Sequence, residues 1–147
     1  MIAAKSPSIT VHPHSEIPAL YEAMYSDIFG EIDPTHKPAT ILIGSLEDKV
    51  VWMMAVYIHD LVTVYIQASG LVSSQRPSPN ALRWLTESVE FLHRNARHIP
   101  ASVDNKNGRA IRLLLKAGFI ITGTRLAPDG SLLVDVRHTK ENEHGAL

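Results

Sequence analysis

The third of three consecutive β-rich runs, Leu61 to Gln67, places Thr63, Tyr65 and Gln67 on one face and Val62, Val64 and Ile66 on the other. Tyr65 is its one titratable side chain, and a phenol in that position can take part in proton transfer or simply pack on a half-buried strand. No carboxylate lies within the run; His59 and Asp60 before it and Asp104 after a later strand are polar residues that also suit turns. Arg76-Pro-Ser-Pro-Asn-Ala81 precedes a helical pattern, with Ser78 suited to capping and Pro79 to the first turn. Free N–H groups near Asn80, with Arg76 and Arg83 close by, suit an anion. His12 and His14 share a strand face and His93 and His98 flank a helix end, without a third partner at a familiar ligand spacing. His-Glu-x-x-His, Gly-x-Ser-x-Gly and Walker sequences do not occur, so metal, hydrolase and triphosphatase chemistry gain no support.

The elements that must position these residues follow from periodicity. Ser8 to His14 alternates as a short strand, and Ile17, Leu20, Tyr21, Met24 and Ile28 recur at helical spacing between a Ser15 cap and a Gly30 stop. Thr40 to Ile43, Val50 to Ile58 and Leu61 to Gln67 read as an antiparallel meander, with a polar turn at Ser45 to Lys49 and a tight one at His59-Asp60. Gly70 to Pro79 reads as a loop, and Ala81, Leu82, Leu85, Val89 and Leu92 make Asn80 to Asn95 an amphipathic helix. Ile99 to Val103 is a strand, and Asn107 caps a helix that runs through Ala110, Ile111, Leu114 and Leu115 and ends at Gly118. Phe119 to Leu126 and Ser131 to Val136 form a hairpin around Ala127-Pro-Asp-Gly130. The order β-α-β-β-β-α-β-α-β-β predicts the α/β (α+β) class: a mixed sheet with helices packed on its faces.

The 147 residues suit one domain, with residues 139–147 expected as a flexible tail. Fourteen Lys and Arg against fifteen Asp and Glu give a net charge of -1, which lacks the basic surplus of a nucleic-acid binder. The absence of cysteine excludes a disulfide scaffold, a thiolate zinc site and a cysteine nucleophile. Apolar runs are too short to cross a bilayer, and Met1 to Pro7 lacks the apolar core of a signal peptide, so a soluble cytoplasmic protein is expected.

The segment Val103-Asp-Asn-Lys-Asn-Gly-Arg-Ala-Ile-Arg-Leu-Leu-Leu-Lys-Ala-Gly-Phe119 resembles the second conserved block of the GNAT N-acetyltransferases, with Asn107, Ala110, Lys116, Gly118 and Phe119 at the matching positions. The element order is similar over nearly the whole chain. The resemblance implies a mostly antiparallel central sheet with helices on both faces and acetyl-CoA as co-substrate. It implies that Ile66, Gln67, Arg76, Ser78, Asn80, Ala81, Asn107 and Ala110 contribute to the acyl-CoA site, with Tyr65 as the catalytic candidate. Asn107 can cap its helix, face the splay where the family holds the pantetheine arm, or do both.

Two positions depart from the family pattern. In the loop that resembles the family's first block, Pro79 replaces the central glycine, and proline has no N–H to offer a phosphate. Leu114 stands where many of these enzymes carry the tyrosine that protonates the departing thiolate. The resemblance therefore supports two readings. One is an N-acetyltransferase acting by direct transfer on a small-molecule or peptide amine. The alternative is a GNAT-fold binding or structural protein without turnover, similar in its compactness to phage-encoded members. Glu16, Glu22, Asp27, Glu31 and Asp33 can attract a cationic acceptor or simply solvate a helix face. The last hairpin can pair across a homodimer or cover the core. No nucleic-acid, membrane or metal partner is expected.

Overall fold

The computed structural model describes residues 8–30, 40–72 and 80–140. Runs rich in β-branched and aromatic residues form β1 (Ser8–Pro13), β2 (Thr40–Leu46), β3 (Lys49–Ile58), β4 (Val64–Leu71), β5 (His98–Asp104), β6 (Ile120–Leu126) and β7 (Leu132–Thr139). Segments with apolar residues every three or four positions form α1 (Pro18–Phe29), α2 (Ala81–Leu92) and α3 (Gly108–Lys116). This is the expected order, with a short 3-10 turn at His14–Glu16 added before α1. The strands lie in the order β1-β2-β3-β4-β5-β7-β6, a mixed sheet in which most neighbours are antiparallel and β4–β5 is parallel.

The described residues fall into two compact units. One takes the residues up to Tyr57 together with those from Gln67 to Trp84; the other takes Ile58–Ile66 and the residues from Leu85 onward.

In the first unit, α1 buries Tyr21 and Met24 against Ile41 and Ile43 of β2 and Met53 and Ala55 of β3. The helix starts on Pro18 at its first turn with no side-chain cap, so Ser15 lies in the 3-10 turn and not at the expected cap position. Pro18 is suited to that place because an N–H there would have no helical partner. The Gly30 N–H closes the helix on the Ser26 carbonyl. Tyr21 is 1% exposed and its hydroxyl has no hydrogen-bond partner among the described residues; burial pushes its pKa up to about 12, with Tyr25 adding to the rise. On the other face of β2, Gly44 lies under the Trp84 ring. A Cβ added there would stand 2.6 Å from Trp84 Cζ3 and 2.9 Å from Trp52 Cβ. The β2–β3 register shifts between Gly44 and Ser45, and the turn into β3 is made by Glu47 and Asp48, both at positive φ.

In the second unit, β5 buries Ile99 and Ala101, and β7 buries Val134 and Val136. Leu85, Val89 and Leu92 of α2, Leu114 of α3 and Phe119 are buried too. The Asn107 carboxamide oxygen accepts the Ala110 N–H at 3.1 Å, which is the expected cap. Gly118 takes a φ of +100° at the end of α3, where a side chain would be strained. At the outer end of α2, His93 Nδ1 donates to the Ala96 carbonyl at 2.9 Å while its Nε2 lies 2.8 Å from His138 Nδ1. Phe119 meets the His138 ring edge-on, and Lys140 Nζ donates to the His93 carbonyl.

The β3–β4 connection differs from the expected two-residue turn. Residues 59–63 form a longer tip: the His59 and Asp60 N–H groups bond to the Thr63 carbonyl, and the Val62 N–H bonds to Asp60 Oδ1 at 2.9 Å. Leu61, expected in a strand for its apolar character, is 97% exposed at this tip. β4 therefore begins at Val64 and runs on to Leu71, into the segment expected as loop. β7 also reaches beyond the expected hairpin, pairing Thr139 with His98.

Candidate functional site

β4 and β5 pair through Ile66 and Ala101, preceded by a bridge between Thr63 and His98. Side chains alternate along a strand, so Tyr65 points to the face opposite Ile66, and Ser102 to the face opposite Ala101. These two meet: Tyr65 Oη donates to Ser102 Oγ at 2.8 Å. β5 continues in antiparallel register with β7, which sets Ser102 directly opposite Asp135, and Ser102 Oγ donates to Asp135 Oδ1 at 2.6 Å. β6 supplies a fourth member. Arg125 Nε contacts Asp135 Oδ1 and Oδ2 at 3.2 and 3.3 Å, and its Nη2 donates to Ser102 Oγ at 3.0 Å. Four side chains from four strands thus form one hydrogen-bonded chain, in which Asp135 is 30% exposed and Arg125 51%. So exposed an ion pair contributes little to stability, about 1 kcal/mol or less. Its placement beside a phenol and a hydroxyl is the more informative feature.

Among the residues expected at the acyl-CoA site, Ile66 is buried at the β4–β5 pairing and Gln67 follows it, with its Oε1 buried and without a hydrogen-bond partner among the described residues. Asn80 and Ala81 stand at the start of α2, where the Asn80 carbonyl accepts the Trp84 N–H. Asn107 caps α3 and Ala110 supplies the capped N–H. Arg76 and Ser78, together with Pro79, lie outside the described residues.

The other polar candidates are occupied locally. Asp60 turns the β3–β4 tip, and the Val62 N–H with the Thr63 hydroxyl holds its pKa below the usual carboxylate range. Asp104 Oδ1 accepts the Lys106 N–H at 2.8 Å. Asp129 accepts from the Ser131 hydroxyl and N–H in the last hairpin, which lowers its pKa in the same way. No group of three His, Asp or Glu able to hold a metal occurs among the described residues, and none of their helices is long and apolar enough to cross a membrane. Leu114 is a buried core residue.

Of the four residues in this hydrogen-bonded chain, the sequence singles out Tyr65 and not Ser102, Asp135 or Arg125. One signal was present: Asp135 interrupts the apolar run Leu132-Leu-Val-Asp-Val136, and a carboxylate in mid-strand calls for a partner.

No family model and no curated protein matches the sequence. Solved structures do match. The ribosomal-protein-S18-alanine N-acetyltransferase from Escherichia coli superposes with a TM-score of 0.73 at 12% identity, over 94% of this chain and 97% of that one. The aminoglycoside acetyltransferase AAC(6')-Ib in complex with ribostamycin and coenzyme A gives 0.71 at 22% identity, over 92% and 94%. A spermidine N-acetyltransferase chimera from Vibrio cholerae and hSSAT gives 0.62 at 9% identity, and this chain covers 66% of its length. The likeness shows the GNAT fold, the mixed α/β architecture that the Asn107 block implied.

Proposed function

We propose that this divergent GNAT-fold chain works as one acyl-CoA-binding domain in the cytoplasm and transfers an acetyl group from acetyl-CoA directly to an amine of a small molecule or peptide. The observation that carries the reading is the Gln67 side-chain oxygen, a buried acceptor without a partner among the described residues, on the residue that follows the last β4 position paired with β5. Leaving such an acceptor unpaired costs about 1–3 kcal/mol, and an amide N–H from a pantetheine arm is the kind of donor that removes the cost. The helix start at Asn80 and Ala81, with Arg76 and Ser78, would hold the pyrophosphate through backbone N–H groups and positive charge; Pro79 contributes no N–H. Tyr65 is the catalytic candidate. Much of the rate would come from holding amine and thioester in one geometry, and solvent protonates the thiolate because Leu114 cannot.

The burial of Leu114 in the core also favours the second reading, a protein that binds CoA without turnover. Incubating the purified chain with acetyl-CoA and a panel of polyamines, aminoglycosides and peptide N-termini, with free thiol as the readout, separates the two. The transferase reading expects thiol release dependent on one amine class. A bound ligand at a hundred times its Kd adds about 2.7 kcal/mol of stability, so a CoA-induced thermal shift with no thiol release leaves binding alone. No shift and no release overturns both.

A further inference from the structure

The polarity of the four-residue chain can be fixed from donor and acceptor inventories, without locating hydrogens. Arg125 can only donate, and an ionised Asp135 can only accept. The single Ser102 hydroxyl proton therefore goes to Asp135, along the 2.6 Å contact. Ser102 Oγ is left with two lone pairs, one taken by Arg125 Nη2 at 3.0 Å and the other by Tyr65 Oη at 2.8 Å. The Tyr65 phenolic proton is thus committed to Ser102. Any further hydrogen bond made at Tyr65 Oη must be one in which that oxygen accepts, and an amine N–H is a donor of that kind. The arrangement suits Tyr65 to receiving a proton and unsuits it to giving one.

We propose that Asp135 is the terminal proton acceptor of a relay that runs from the acceptor amine through Tyr65 and Ser102; the proposal rests on the acetyltransferase reading above. As the amine nitrogen bonds to the thioester carbonyl carbon, its proton passes to Tyr65 Oη. The Tyr65 proton moves to Ser102 Oγ, and the Ser102 proton moves to the Asp135 carboxylate. Collapse of the tetrahedral adduct breaks the C–S bond, and the thiolate takes a proton from water. The products are the amide and free CoA. Asp135 then returns its proton to solvent, to which it is 30% exposed. Arg125 holds the carboxylate in place through Nε and pins the Ser102 oxygen through Nη2. Tyr65 is the catalytic residue of the set, while Ser102 and Asp135 act through it and are positioning residues.

The test compares wild type with Asp135→Asn, Ser102→Ala and Ser102→Thr on whichever amine class of that panel releases thiol, after thermal melts confirm folding. General-base assistance contributes typically 100- to 10,000-fold. Asp135→Asn and Ser102→Ala should therefore lower kcat at least about 100-fold with both KM values changed less than about threefold. Ser102→Thr, which keeps the hydroxyl, should restore most of the loss. A curved proton inventory in mixed light and heavy water, from several protons in flight, should become linear in Asp135→Asn. In the protein without substrate, the short Ser102–Asp135 bond should give a slowly exchanging downfield hydroxyl resonance that Asp135→Asn removes. If wild type transfers acetyl groups and Asp135→Asn keeps its kcat, or loses activity only through the amine KM, the relay is overturned and the transferase reading stands. If wild type transfers to no amine, both fall.

Discussion

Replacing Gly44 with alanine tests how the start of α2 is held in the first unit. The added Cβ would lie 2.6 Å from Trp84 Cζ3, 2.8 Å from Trp84 Cε3 and 2.9 Å from Trp52 Cβ. Carbon atoms pack best at about 3.5 Å or more, so the Trp84 ring would have to withdraw by about 0.9 Å. It has little room, since Trp84 and Trp52 are both buried. Overpacking of this kind typically costs about 1–3 kcal/mol. At this chain length that is a fall in Tm of roughly 2–12 °C. Trp84 is one turn into the helix that Asn80 precedes and Ala81 begins, the residues proposed above for the CoA pyrophosphate, so on that reading the CoA Kd should rise as well. Urea melts of Gly44→Ala, Trp84→Leu and the double variant, with CoA titrations of each, give the outcome. The pair should be less than additive by at least about 0.5 kcal/mol, because shortening the ring makes room for the methyl. A Gly44→Ala protein as stable as wild type, or a fully additive pair, would refute the close-approach account.

Tyr21→Phe removes a buried hydroxyl that has no partner among the described residues, and urea melts should show it to be more stable than wild type by about 1 kcal/mol. Tyr21 also sets an alkaline limit. Its folded pKa is raised from 10.0 to about 12, so only the unfolded state ionises between those values, and stability is intact below pH 10 and declines toward pH 12. The slope from this group is at most about 1.4 kcal/mol per pH unit, and it should be missing in Tyr21→Phe. Asn107→Ala deletes the cap bond to the Ala110 N–H and should cost about 1 kcal/mol in a thermal melt. Asn107→Asp keeps the cap; if the carboxamide also faces the pantetheine arm, this variant should hold its Tm while its CoA Kd, by calorimetry, rises about tenfold.

Local signals were legible in the sequence because they are chemical. Asn107 caps α3, Gly118 turns left-handed at its end, and apolar periodicity placed all three helices. The β3–β4 tip reads as strand because Leu61 and Val62 are apolar; the Asp60 side chain, accepting the Val62 N–H, turns the backbone there instead. Ser15 looked like a cap, but Pro18 starts the helix three residues later. The relay was out of reach for a different reason. Ser102 lies 37 residues from Tyr65 and 33 from Asp135, and their meeting depends on β7, not β6, lying beside β5. Nothing local dictates that choice, because a hairpin can present either of its strands to a sheet.

That choice of neighbour also governs when the second unit can form. β6 pairs with β7, and β7 pairs with β5, so a growing chain that has made β6 has not yet made the strand that joins it to β5. Until Leu132–Thr139 is in place, β5 presents a bare edge and Ser102 has neither its carboxylate nor its arginine partner anchored. Long-range pairing of this sort is slow relative to local helix formation. The four-residue hydrogen-bonded chain is therefore complete only once β7 has joined β5, and the proposed relay would be missing from any chain that stops short of Asp135.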